Sequence, residues 1–189
     1  FNCHGGQLVQ LHNLLVIYIT GCHSLRNLFR HSVAQSLQKL KKLVVYNCDE
    51  LKEIVAKESE VQGQEEEEEE RVLNEIVFTS LKTLKLKGLS NLDGFCLGSF
   101  PFYWPSLEQL KVHSCPKMMT FAATTSGIQS TPKLKAIKVD GVEKILLQGE
   151  DLNTVMQKHF KAKQVLDLSQ KADEVQTLTS DEESDVSSS

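Results

Sequence analysis

The sequence lacks several features that define whole classes of protein. Its longest strongly apolar run extends only from Leu14 to Ile19, whereas about 20 apolar residues are needed to cross a bilayer, so no membrane span is expected. Its five cysteines include no Cys-x-x-Cys pair, and no Asn-x-Ser/Thr glycosylation site occurs. We therefore expect free thiols and a cytoplasmic location rather than a disulfide-linked secreted domain.

The chain also contains no motif that carries nucleotide binding or catalysis. No Gly-x-x-x-x-Gly-Lys-Ser/Thr phosphate loop is present, and no spacing indicates a convergent set of catalytic residues. We predict that the chain is not an enzyme, holds no cofactor and binds no nucleic acid. Its start at Phe1, without an initiator Met or a targeting leader, makes us expect a piece of a longer protein.

Charge is distributed unevenly along the chain, although the net value is only -4. Residues 1–56 carry six basic and three acidic groups, whereas residues 57–76 carry two and nine. Residues 77–149 carry nine and four, and residues 150–189 carry four and nine. The pattern predicts a basic body that is interrupted by an acidic insert and followed by an acidic tail.

An internal repeat is the strongest feature that the sequence does have. Seven positions, separated by 3, 3, 2, 3, 3 and 3 residues, recur five times, and they are apolar except for Thr131 and Gln148 in the fifth copy. The first copy is Leu11, Leu14, Ile17, Ile19, Cys22, Leu25 and Leu28. The third positions of the five copies are Ile17, Leu43, Leu84, Leu110 and Ile137, and the fourth positions are Ile19, Val45, Leu86, Val112 and Val139.

The spacing within each unit predicts its local structure. The single two-residue step indicates a short strand, because alternate side chains of a strand point to the same face. The three-residue steps suit turns and short helical or 3₁₀ pieces. One unit cannot bury enough apolar surface to fold alone, so the units must stack. We predict an α/β solenoid of leucine-rich repeats over residues 1–150: five coils, a short-stranded parallel sheet on the concave face, and irregular, 3₁₀ or short helical convex segments.

Two of the units resemble those of a known family. They are residues 40–54, LKKLVVYNCDELKEI, and residues 104–118, WPSLEQLKVHSCPKM. Both are similar to the C-terminal repeats of plant intracellular immune receptors, the coiled-coil, nucleotide-binding, leucine-rich-repeat proteins of disease resistance. The glutamate run at 65–70 and the stretch GEDLNTVM at 149–156 also resemble that family. The resemblance covers roughly residues 8 to 160.

The resemblance implies a role in protein recognition. Such a segment senses a pathogen effector or a guarded host protein and restrains a nucleotide-binding switch domain. ADP or ATP is then expected only on that domain, which this chain does not contain. An alternative is the substrate-recognition repeat array of a ubiquitin ligase subunit, which also uses Cys-containing coils of about this length. A phosphate-loop domain or a short helical adaptor domain before Phe1 would distinguish the two.

The cysteines are better explained by structure than by chemistry. Cys22, Cys48 and Cys115 share the fifth position of their units, which predicts a ladder of buried thiols. A metal ion needs ligands that converge at one point, whereas these cysteines and the nearby His23 and His113 lie on different coils. A nucleophilic Cys-His pair is disfavoured because no third, orienting group is visible. We therefore expect no metal site.

The candidate binding residues are strand side chains predicted to face solvent on the concave side. One column lies between the third and fourth repeat positions, and a second column follows the fourth position. The columns predict a binding strip that is apolar and aromatic at its N-terminal end and basic at its C-terminal end, where three lysines in register favour an acidic partner. Exposed lysines also simply keep a sheet surface soluble. The candidate protein-binding residues are Tyr18, Val44, Tyr46, Lys85, Lys87, Lys111, His113 and Lys138.

Three segments lie outside the repeat pattern. An acidic, disordered insert is predicted over about 57–74, because its six consecutive glutamates cannot pack together. Whether these glutamates instead visit the lysine column is left open. Residues 151–168 are predicted to form a C-terminal capping helix, with Asp151 as its N-cap and Leu152, Val155, Met156 and Phe160 at helical spacing. Residues 169–189, rich in Ser, Asp and Glu, are predicted to be a disordered tail.

Overall fold

The computed structural model describes residues 11–57, 75–98, 101–118, 120–122 and 131–162, apart from the side chain at 143. The described residues therefore cover most of the repeat body and the start of the segment that follows it. Nearly all of the predicted acidic insert, the last part of the predicted capping helix and the whole predicted tail lie outside them.

The described elements are of two kinds. Some are strands of one main sheet, and the others are short strands or helices in the segments that connect or follow these strands. In chain order they are β1 (Val16–Thr20), β2 (Asn27–Arg30), α1 (His31–Ser36), β3 (Lys42–Tyr46), β4 (Glu53–Ala56), β5 (Ile76–Val77), β6 (Thr83–Lys87), β7 (Phe102–Tyr103), β8 (Gln109–His113), β9 (Ala136–Val139), β10 (Val142–Leu146) and α2 (152–162). Each of the five repeat units has one strand of the main sheet at its two-residue step, as predicted, and the fifth unit contributes β10 to this sheet as well.

A six-stranded sheet in the order β1-β3-β6-β8-β9-β10 forms one side of the solenoid. Its first five strands are parallel, and the third repeat positions, from Ile17 to Ile137, pair with one another in every neighbouring pair of these strands. The fourth positions from Ile19 to Val112 pair in the same way, and Val112 pairs with Val139. The predicted repeat and its register are therefore confirmed.

Burial follows the two-residue step of the repeat. In β6, Leu84 and Leu86 are 0% and 1% exposed, whereas Lys85 between them points to the other face. Each such leucine contributes about 2 kcal/mol through removal of apolar surface from water. The same alternation holds in β8 and β9. The inward side chains of successive coils form one continuous core cluster.

The segments that connect the strands of the main sheet contain short paired strands as well as the helix α1. Strand β2 pairs in parallel with β4, and β5 with β7. Isolated bridges join Glu53 to Gly94 and Cys96 to Ala122. The helix agrees with the predicted helical pieces, but the paired strands were not predicted. They form because equivalent backbone groups of stacked coils come within hydrogen-bonding distance, and buried backbone groups need partners.

The fifth repeat unit does not complete a coil, which corrects the prediction of five. Asp140 and Gly141 have φ values of 46° and 84°, and Val142 pairs with Val139 across this two-residue turn. Two successive positive φ values are typical of the turn that joins antiparallel strands. The chain therefore reverses, and β10 pairs antiparallel to β9. As a result Val142, expected in the core, is 45% exposed.

The residues after the hairpin lead into helix α2, which packs on the end of the core. Leu152, Met156 and Phe160 belong to the same buried cluster as the repeat leucines, because helical spacing places them on one face. The carboxylate of Asp151 accepts a hydrogen bond from the Thr154 N–H at 3.1 Å. This contact satisfies one of the free N–H groups at the start of the helix.

Candidate protein-binding face

We call the face of the six-stranded sheet that points away from the core the open face. Tyr18, Val44, Lys85, Lys111 and Lys138 form one column on it, because each pairs with the next across the sheet. Neighbouring strands lie about 4.8 Å apart, so the three lysines are adjacent. The register of this predicted column is confirmed, and its role in binding stays a prediction.

Val44 departs from the predicted exposure of the column. It is 1% exposed, although it is not part of the hydrophobic core cluster. Its register neighbours Tyr18 and Lys85 have longer side chains, as does Tyr46 two residues further along the strand, so they project past the short valine. The expectation that Val44 faces solvent is therefore wrong. Tyr18, which is 59% exposed, is the apolar member of the column that faces solvent.

The second predicted column lies one step further along the strands. Tyr46 is opposite Lys87, and Lys87 is opposite His113. The rings of Tyr46 and Tyr18 pack edge to face with their centroids 5.6 Å apart. At the other end of the column, His113 Nδ1 lies 3.8 Å from Asp140 Oδ1. The open face thus carries an aromatic pair on β1 and β3 and mainly basic groups from β6 onward.

The strands of the main sheet from β3 to β9 and the residues directly before them are strongly basic. On these four strands, and at the residue directly before each, eight lysines are accompanied by one acidic residue, Glu108. The Glu108 carboxylate lies 3.5 Å from Lys82 Nζ. Repulsion between two neighbouring lysines costs only about 0.7 kcal/mol at about 6 Å in a water-like dielectric, which the fold tolerates. The eight are Lys41, Lys42, Lys82, Lys85, Lys87, Lys111, Lys135 and Lys138.

The β1 end of the open face is apolar, and sequence reasoning missed most of it. Leu15 and Val16 are 47% and 53% exposed, at positions where the second unit has Lys41 and Lys42. An alignment of the residues that precede the third repeat position carries this signal, because the first unit alone has two large apolar residues there. We call Leu15, Val16 and Tyr18 the apolar end. Exposed apolar side chains beside a polar surface are typical of protein interfaces.

The predicted thiol ladder is present in part. Cys48 and Cys115 are buried, but Cys22 is exposed, so the prediction of burial is wrong for Cys22. Among the described residues, a coil stacks on one side of Cys22 only. The thiols of Cys22, Cys48 and Cys115 each donate to the carbonyl two residues earlier, at 3.8, 3.3 and 3.4 Å. Burial raises the pKa of Cys48, and it raises the pKa of Cys115 to about 11.

The histidines that were considered as metal ligands face carboxylates instead. His23 Nδ1 lies 2.8 Å from Asp49 Oδ2, and His113 lies beside Asp140. Over the described parts of the chain, no group of three or more His, Cys, Asp or Glu is placed to hold a metal ion. No helix in these same parts of the chain is long and apolar enough to cross a bilayer.

The parallel strands, inward leucine positions and variable open-face residues define a leucine-rich-repeat solenoid. The family model described as "Plant disease resistance protein RPS2-like, leucine-rich repeats" matches residues 10–143. Since this match covers well over half of the chain, the chain belongs to that family. No curated protein and no solved structure matches it. The family match ends within β10, so the resemblance noted for residues 149–156 stays a prediction.

Proposed function

We propose that the chain is the protein-recognition and regulatory segment of a plant disease resistance receptor. It binds a pathogen effector or a guarded host protein on its open face, and it restrains a nucleotide-binding switch domain that is not part of these residues. Family membership supports the receptor assignment. We further propose that the segment acts in the cytoplasm, without an enzymatic activity or a cofactor of its own.

The division of the open face into an apolar end and a basic remainder is the observation that carries the binding role. A partner that fits both parts has acidic side chains close to an apolar or aromatic group. Attraction to the lysines raises the rate of association, and burial of Leu15, Val16 and Tyr18 slows dissociation. Because the lysines are exposed or half-buried, the electrostatic part should weaken as salt is added.

The recognition role is tested by charge reversal in the full-length receptor. The column variant carries Lys85→Glu, Lys111→Glu and Lys138→Glu. The matched control changes the same charge at three exposed lysines outside the open-face strands, Lys39, Lys52 and Lys133. In leaf cells challenged with the pathogen that the wild-type receptor detects, we expect ion leakage to be lost in the column variant and kept in the control. A column variant that responds like wild type would refute recognition at these lysines.

The restraining role needs a separate experiment. A receptor that lacks residues 1–189 should cause cell death without any pathogen, because the switch domain is no longer held inactive. Supplying the 189-residue chain as a separate polypeptide should reduce this cell death. If the shortened receptor stays silent although it accumulates and binds nucleotide, the restraining role is wrong.

A further inference from the structure

Two cysteines lie side by side where the first two coils leave the sheet. Strands β1 and β3 end in register, with Thr20 opposite Tyr46, and the Gly21 N–H donates to the Tyr46 carbonyl at 3.1 Å. The thiols of Cys22 and Cys48 donate to the carbonyls of Thr20 and Tyr46 respectively. Because both thiols are anchored to paired residues, they are held about one strand spacing apart, roughly 4.8 Å.

Further contacts join the two segments that follow β1 and β3. His23 and Asp49, the residues directly after the two cysteines, are themselves paired at 2.8 Å. Burial raises the pKa of the Cys48 thiol, a hydrogen bond with the Cys22 backbone opposes this rise, and the Cys22 thiol adds to it, so the two residues are in direct contact. Disulfide-bonded cysteines have Cα atoms about 4.4–6.8 Å apart, a range that includes the distance between neighbouring strands.

We propose that Cys22 and Cys48 are a redox-responsive pair, which hydrogen peroxide oxidises to a disulfide that joins the first two coils. Cys22 is exposed and therefore meets the oxidant, whereas Cys48 is buried behind it. The Cys22 sulfur attacks one oxygen of the peroxide and breaks the O–O bond, which gives a sulfenic acid and one water molecule. The Cys48 sulfur then attacks the Cys22 sulfur, forms the S–S bond and releases the second water molecule. The two thiols together lose two electrons, and the peroxide gains them.

The disulfide would fasten the coil that carries the apolar end. Leu15, Val16 and Tyr18 belong to the first coil, whose Leu11 and Leu14 are only partly buried against the core. A covalent bond to the second coil restricts the unfolded chain and so opposes local opening of the first coil. Oxidation is therefore expected to order this part of the open face. The proposal does not depend on the proposed receptor function.

Cys115 provides a matched control within the same chain. It occupies the same repeat position as Cys22 and Cys48, and its thiol makes the same hydrogen bond to the carbonyl two residues earlier. The equivalent residue of the preceding unit is Leu89, whose backbone contacts the Cys115 thiol. The position of that unit that contacts Cys115 therefore carries a leucine and no thiol.

The test exposes the reduced 189-residue chain to hydrogen peroxide, blocks the remaining thiols with N-ethylmaleimide and maps the peptides by mass spectrometry without reduction. We expect a peptide with Cys22 to be linked to one with Cys48, and Cys115 to be recovered as a free thiol. The link should be absent in Cys22→Ser and Cys48→Ser and should persist in Cys115→Ser. Oxidation of Cys22 without this link, or equal linkage of Cys22 to other cysteines, would overturn the proposal.

A second measurement reports the effect on folding. Oxidised wild-type chain should unfold at a temperature about 5 °C or more above that of the reduced chain, and dithiothreitol should reverse the shift. The Cys22→Ser variant should show no such shift after the same treatment. A shift of equal size in that variant would mean that another modification stabilises the chain, and the role assigned to the pair would be wrong.

Discussion

The two ends of the main sheet differ in how their last coil is paired and covered. At the C-terminal end, β10 pairs with β9, and α2 buries Leu152 and Met156 against the last coil. At the other end, β1 pairs with β3 alone among the described strands, and Leu15 and Val16 remain exposed. In a solenoid each coil is stabilised by its neighbours, so a coil with one neighbour is held less firmly than a coil with two. Among the described coils, the first is thus the one that opens more easily.

A single side chain shows how the C-terminal end is closed. The side-chain oxygen of Asn153 accepts hydrogen bonds from the N–H groups of Phe121 and Ala122, at 2.8 and 3.2 Å. Its amide nitrogen donates to the Ala122 carbonyl at 2.5 Å. Ala122 bridges to Cys96 on its other side, so Asn153 takes the place of the next coil. At the β1 end, Asn13 instead accepts an exposed hydrogen bond from Lys39.

The largest expected effect comes from breaking the core on which both ends depend. Leu84 is fully buried in the third unit, so Leu84→Asp places a charge in an apolar core and should cost more than about 4 kcal/mol. We expect both ends to unfold, as seen by loss of the far-ultraviolet circular dichroism of the folded chain. Lys85→Ala, on the other face of the same strand, should change the free energy of unfolding by less than about 0.5 kcal/mol. A cooperatively folded Leu84→Asp chain would show that the register is wrong.

An intermediate effect is expected from opening the closed end. Asn153→Ala removes three hydrogen bonds to the backbone of the preceding unit and should lower the free energy of unfolding by about 2–3 kcal/mol. Asn13→Ala, at the β1 end, should lower it by less than about 0.5 kcal/mol, because the Asn13–Lys39 contact is exposed. Urea unfolding of the two variants measures both values. Equal losses in the two variants would mean that the two ends are not finished differently.

The smallest effect concerns pH at the closed end. Burial by itself would raise the pKa of Asp151, but hydrogen bonds from the side chain and backbone of Thr154 and from the Asn153 N–H outweigh it, so the pKa is lowered. Because the pKa is lowered in the folded state, the ionised Asp151 carboxylate adds to the free energy of unfolding. This contribution is complete above about pH 4 and is lost as the pH falls through the folded-state pKa. It should amount to no more than about 1 kcal/mol, since the carboxylate is partly solvated.

The comparison of wild type with Asp151→Asn isolates this contribution, because asparagine also caps a helix but does not titrate. The difference in the free energy of unfolding between the two chains should shrink as the pH is lowered from 6 to about 3. A difference that stays constant over this range would show that Asp151 does not titrate as described.

The repeat was predictable because it is a local pattern. Spacing alone indicated the strand of each unit, and stacking of equal units then fixed the register from Ile17 to Ile137. The hairpin after Val139 was missed although its signal, Asp140 followed by Gly141, is a common one for a two-residue turn. The regular spacing of apolar residues continued through it, so the fifth unit resembled the other four.

Other features depend on neighbours that are distant in sequence. The role of Asn153 could not be predicted, because the groups it binds lie about 31 residues earlier in the chain. The burial of Val44 and the exposure of Cys22 likewise depend on what stacks beside each coil. Such contacts depend on which coils are neighbours in the folded chain, and the spacing of residues within a single unit does not indicate them.

The sequence by itself determined the class of fold, the inward and outward faces of each strand and the position of the lysine column, because these follow from side-chain periodicity and from the stacking of equal units. The tertiary structure alone decided which thiols are buried, which residue of the column is covered and which backbone groups Asn153 binds at the closed end. These properties depend on which side chains lie beside one another across coils, and a valine or a cysteine is exposed or covered only in relation to such neighbours.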